Sequence, residues 1–97
     1  MRRAAKIDDN QKEIVEALRK AGRSVQLLHT VGEGCPDLLV GFQGINYLIE
    51  IKWDKKARLT PKQIEFHSRW RGQRAIVTTI DEAILFTAGK RGEKAAA

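Results

Sequence analysis

The sequence predicts an α/β domain, a mixed β-sheet flanked by helices in the order α-β-β-β-α-β-α. Three observations carry that reading. An apolar stripe at helical spacing occupies residues 10–21, a period-two alternation runs from Asn46 to Trp53, and Thr60-Pro61-Lys62-Gln63 has the spacing of a capping box with proline at the first helical position.

The elements follow in chain order. Asp8, Asp9 or Asn10 can cap a first helix, Asn10 to Ala21, that carries Ile14, Ala17, Leu18 and Ala21 on one face and ends at Gly22. Val25 to Thr30 is a short strand, and Gly32-Glu33-Gly34-Cys35-Pro36 is turn chemistry. Asp37 to Val40 forms the next strand, Gly41 to Gly44 turns the chain, and Asn46 to Trp53 returns with Tyr47, Ile49, Ile51 and Trp53 expected in the core. The Thr60 box opens a helix that passes Phe66 and Trp70 and stops near Gly72. Ala75 to Thr79 is the fourth strand, and Asp81 caps a last helix, Glu82 to Ala88, with Gly89 just past its end.

With 97 residues the chain has apolar side chains for one core. Residues 1–89 are therefore one domain, and Lys90-Arg91-Gly92-Glu93-Lys94-Ala95-Ala96-Ala97 (90–97) reads as a flexible tail. No apolar run approaches the roughly 20 residues of a membrane helix, and the basic start lacks the apolar stretch of a secretory signal, so a cytoplasmic location is the expectation. Cys35 is the only cysteine, which rules out an internal disulfide and a multi-cysteine zinc site within one chain; it reads as a small buried hydrophobe. No Gly-rich phosphate loop is present, and no organic cofactor is expected.

The net charge of +6 is concentrated. Between Lys52 and Arg74 eight bases face two acids, while the rest of the chain is balanced. Lys55, Lys56, Arg58, Lys62, Arg69, Arg71 and Arg74 thus form a basic segment suited to a polyanion such as nucleic acid. A solvated surface is the bland explanation for the same charge.

The third strand holds an anomaly. Glu50 and Lys52 lie two apart on one face of an otherwise apolar run, where a carboxylate and an ammonium each cost several kcal/mol, in order of magnitude, to desolvate. A strand with one solvated face would also accept them. Asp37 begins a strand joined to theirs by a short turn, and a hairpin of suitable register brings the two carboxylates close. Paired acids repel unless a cation lies between them, and magnesium prefers such oxygen ligands. An ordinary turn aspartate after proline is the alternative for Asp37.

Pro36-Asp37, followed after twelve residues by Glu50-Ile51-Lys52, resembles the PD-(D/E)XK nuclease motif. The wider pattern, Gly34-Cys35-Pro36-Asp37-Leu38-Leu39-Val40, Tyr47-Leu48-Ile49-Glu50-Ile51-Lys52 and Leu59-Thr60-Pro61 with Gln63, is similar to the VRR-NUC branch, although the Val-Arg-Arg triplet that names the branch is absent. The resemblance implies a restriction-endonuclease-like core and an Mg2+- or Mn2+-dependent endonuclease acting on DNA. It implies that Asp37 and Glu50 hold the metal with the Ile51 carbonyl, that Lys52 orients or activates the attacking water, and that Gln63 lies near the lysine. Glu13 matches the family's first-helix acid, a ligand of a second metal or of metal-bound water; a capping box with Asn10 would equally explain it. Gln63 has the same double reading as the capping partner of Thr60.

His29 and His67 lack ligand-type neighbours at the required spacing and read as surface histidines. Phe66 and Trp70 read as core or interface, and Trp53, beside Lys55 and Lys56, is also placed to touch DNA. By resemblance the chain is a stand-alone nuclease of a phage or bacterial host, a homodimer selective for branched or Holliday-junction DNA. A catalytically inactive DNA-binding module and a basic RNA-binding protein are the alternatives.

Overall fold

In a computed structural model residues 10–89 are described; Asp8, Asp9 and the tail 90–97 lie outside the described residues. The elements are α1 (Gln11–Lys20), β1 (Ser24–Leu27), β2 (Leu38–Phe42), β3 (Ile45–Ile51), α2 (Pro61–Arg69), β4 (Arg74–Val77) and α3 (Ile80–Phe86). This is the predicted α-β-β-β-α-β-α order around a mixed sheet. Among the described residues no helix is long and apolar enough to cross a membrane.

The sheet runs β1-β2-β3-β4, with β1, β2 and β3 antiparallel and β4 parallel to β3. Gln43 and Gly44, at φ 53° and 78°, make the two-residue turn between β2 and β3, a left-handed pair whose twist suits a hairpin. The turn is tighter than the sequence suggested, because Gly41 and Phe42 remain in β2. That turn fixes the register: Leu38 lies across from Ile49, Val40 from Tyr47 and Phe42 from Ile45.

Alternation then separates two faces. Leu38, Val40, Tyr47, Ile49 and Ile51 pack with Ile14, Val15 and Leu18 of α1, Val77 of β4 and Ala83 of α3 in one apolar cluster. Each of the large side chains there contributes about 1.5–3 kcal/mol by leaving water. Leu48, Glu50 and Lys52 point to the opposite face, where α2 lies as the crossover between the parallel strands β3 and β4. Trp53 departs from the expected alternation. β3 ends at Ile51, and Trp53, past the last rung, is 63% exposed rather than core.

The helix ends also differ in detail. Asn10 is the N-cap of α1, yet its side chain makes no cap bond; Nδ2 donates instead to the Lys52 and Thr78 carbonyls, tying α1 to the ends of β3 and β4. The cap of α3 is Thr79, not Asp81, with Thr79 Oγ1 accepting from the Glu82 N–H at 3.1 Å. The Thr60 capping box forms as its spacing predicts.

Candidate active site

Continuing the β2–β3 register one residue past Leu38 and Ile49 sets Asp37 directly across from Glu50. Directly opposed residues share a face and have Cβ atoms about 5 Å apart. The hairpin therefore delivers both carboxylates to the α2 side of the sheet. Asp37 is oriented by its own bond, since the Ile51 N–H donates to Asp37 Oδ2 at 2.7 Å. Its backbone is held from the other side by the Leu28 N–H, 2.7 Å from the Asp37 carbonyl.

Glu50 is 2% exposed, which would be costly for an unassisted carboxylate. Part of the compensation comes from α2. Gln63 Nε2 donates to Glu50 Oε2 at 3.0 Å, while Gln63 Oε1 accepts from Lys52 Nζ at 3.1 Å. The Lys52 ammonium, with its side chain 13% exposed, stands 3.7 Å from the same Glu50 oxygen. Gln63 Oε1 also accepts from the Thr60 N–H at 2.8 Å, so the glutamine caps its helix and bridges Glu50 to Lys52 at once. Both readings of Gln63 are realised together.

These groups line one cavity of about 760 Å³. Asp37, Glu50, Lys52 and Gln63 form one wall, and His29, Gly34 and Cys35 belong to the loop side. Gly34 has φ +79°, and a Cβ there would overlap the Lys62 carbonyl, so glycine is what lets this loop lie against the first turn of α2. Cys35 is half-buried on the cavity rather than in the core. Burial, and then the negative charges of Asp37 and Glu50, push its thiol above the usual range. One thiol thus feels both carboxylates.

Glu13 is not brought to this cavity. It is exposed on α1, which packs on the other face of the sheet, and it is absent from the cavity wall. The capping box with Asn10 is absent too, because the Asn10 side chain is spent on Lys52 and Thr78. Of the basic residues, Lys62 lines the cavity, while Lys55, Lys56, Arg58, Arg69, Arg71 and Arg74 are exposed and are not among its lining residues. Lys55 pairs with Glu82 at 3.2 Å and Lys62 with Glu33 at 3.6 Å, both solvent-facing contacts worth little.

The histidines depart from expectation. His67 is 5% exposed, not a surface residue, and neither ring nitrogen has a partner among the described residues. Burial, then Arg74 and Lys52, lower its pKa. His29 lies in a turn beyond β1, shorter than the predicted strand, and lines the cavity. Residue spacing gave no signal for it, since its approach to Asp37 is made by β1–β2 pairing.

The donor set can be tested against a metal. Among the described residues no group of three or more His, Cys, Asp and Glu side chains is placed to share an ion. Two carboxylates on a cavity wall do not fit zinc, which takes three or four protein ligands, but they fit magnesium or manganese, which take one or two and complete their shell with water and phosphate.

No protein-family model matches the chain, and no curated protein matches its sequence. Among solved structures, one described as a VRR_NUC domain matches with a TM-score of 0.67 and 27% identity over 82% of this chain and 91% of that one. The chain thus has the fold of the VRR-NUC branch of the PD-(D/E)XK nucleases that its motifs resemble.

Proposed function

We propose that the domain is an endonuclease that hydrolyses DNA phosphodiester bonds in an Mg2+- or Mn2+-dependent reaction, selective for branched DNA such as four-way junctions. The observation that carries it is the Asp37–Glu50–Lys52–Gln63 cluster, held by hairpin register and by one glutamine, on a cavity that the exposed Lys62 also lines.

Asp37 and Glu50 would hold the cation, with the Ile51 carbonyl as the further oxygen that the family resemblance implies. When bound, the cation supplies Lewis acidity to the scissile phosphate and lowers the pKa of water. The chain does the rest. The Asp37 carboxylate is kept in place by the Ile51 N–H, so its orientation is set before substrate arrives. Lys52 presents an ammonium whose position is fixed by the Gln63 oxygen; it holds the attacking water and stabilises negative charge on that oxygen as its proton leaves. Glu13, exposed in the first turn of α1, takes no part in this chemistry.

Lys55, Lys56, Arg58, Lys62, Arg69, Arg71 and Arg74 are the groups offered to the DNA backbone, a recognition of charge and shape rather than of base sequence. Two copies, each with one site, suit a symmetric junction, and a homodimer is part of the proposal. Supercoiled, flapped and four-way branched DNA, incubated with and without Mg2+ or Mn2+, tests it. Faster metal-dependent cleavage of the branched substrates is the expected result, and equal rates on all three remove the structure selectivity.

A further inference from the structure

His29 lies at a rigid place. The Leu28 N–H makes the bond to the Asp37 carbonyl, and the Val31 N–H closes on the Leu28 carbonyl at 2.9 Å, so His29 occupies the centre of a turn anchored to the residue opposite Glu50. His29 lines the same cavity as Asp37, Glu50, Lys52 and Gln63. A turn histidine in open water would hydrate both ring nitrogens, but Nδ1 is shut away without a partner among the described residues. A buried N–H without an acceptor is rarer and costlier than a buried acceptor without a donor. Nε2 is therefore the ring nitrogen left to carry a donor N–H for a ligand. That donor belongs to a residue lining a cavity with two carboxylates and one ammonium on its wall.

Resting on the nuclease reading above, we propose that His29 binds substrate by donating Nε2–H to a non-bridging oxygen of a DNA phosphate next to the cleaved bond. A hydrogen bond to a charged oxygen of this kind is worth about 10- to 100-fold. The imidazole would act as a single N–H donor, leaving the Lys52 ammonium to the attacking water.

The test uses the full chain with Mg2+ and a synthetic four-way junction. His29→Phe keeps the ring volume without the donor, and His29→Gln keeps a donor. We expect His29→Phe to lose about 10- to 100-fold in kcat/KM, mainly through KM, and His29→Gln to recover most of it. One methylphosphonate beside the cleaved bond should cost the wild type a similar factor and His29→Phe almost nothing more. Cleavage by His29→Phe within about twofold of wild type, or a loss that adds in full to every methylphosphonate penalty, overturns the proposal. A wild type that neither cuts nor binds the junction overturns the nuclease reading as well, and is seen before any variant is made. Should the variants not fold, nitrogen-15 spectra of histidine-labelled wild type decide it: an Nε2–H tautomer that shifts when DNA is added in Ca2+ is expected, and an Nδ1–H tautomer, or no shift, contradicts it.

Discussion

Gln63 Nε2 donates to Glu50 Oε2 at 3.0 Å, joining the first turn of α2 to the most deeply buried carboxylate of the sheet. The same amide accepts from Lys52 Nζ and from the Thr60 N–H, so one side chain serves both a helix cap and the site.

These two tasks can be separated. Thr60→Ala removes the cap and should cost about 1 kcal/mol of stability while leaving the Glu50–Gln63–Lys52 bridge and cleavage nearly intact. Gln63→Ala removes both and should also lose about 10- to 100-fold in cleavage rate. Urea unfolding paired with initial cleavage rates makes the comparison; equal activity losses in the two variants would refute a separate role for the bridge.

Gly34→Ala should destabilise the protein by about 1–3 kcal/mol, since φ +79° is strained for alanine and the new Cβ meets the Lys62 carbonyl. Because the loop leads directly into Asp37, cleavage should fall with it. Thermal unfolding of this variant beside Gly32→Ala, which shares the strained backbone at φ +82° but whose Cβ meets nothing within 4 Å, isolates the contact with Lys62.

His67 gives stability a pH dependence of known sign. Burial, then Arg74 and Lys52, lower its pKa from the ordinary 6.5, so the unfolded chain takes up the proton first on acidification. Its contribution is intact above that value and is lost as pH falls below it. Urea midpoints measured from about pH 8 down to about pH 5.5 should decline, and the decline should flatten in His67→Phe.

Much of this was legible because it depends on short-range pattern. Hairpin alternation put Glu50 and Lys52 on one face, and the Thr60–Gln63 spacing gave a cap that tertiary structure then borrowed. What was hidden depends on contacts between distant segments. Asn10 reaches carbonyls 42 and 68 residues away, which removes the expected partner of Glu13. His29 enters the site through β1–β2 pairing, and His67 is the buried residue of the crossover helix α2, whose otherwise exposed pattern gives no sign of it. Trp53 was misplaced because alternation was extended past the last paired residue of β3.

That boundary has an energetic counterpart. Ile51→Ala empties a fully buried position and should cost about 2–5 kcal/mol, while Trp53→Ala, at 63% exposure, should cost less than about 1 kcal/mol. Chemical denaturation of the two variants checks it. If Trp53→Ala proves as destabilising as Ile51→Ala, the end of β3 has been misread.

Asp37, Glu50 and Lys52 are proposed as a hydrolytic site, and the initial rate of four-way-junction cleavage against Mg2+ concentration, for wild type and Lys52→Ala, decides whether they are one. Cleavage should rise with Mg2+, stop with EDTA, and be slower by about 100-fold or more in Lys52→Ala. Absent cleavage, cleavage that persists in EDTA, or a Lys52→Ala protein as active as wild type would contradict it.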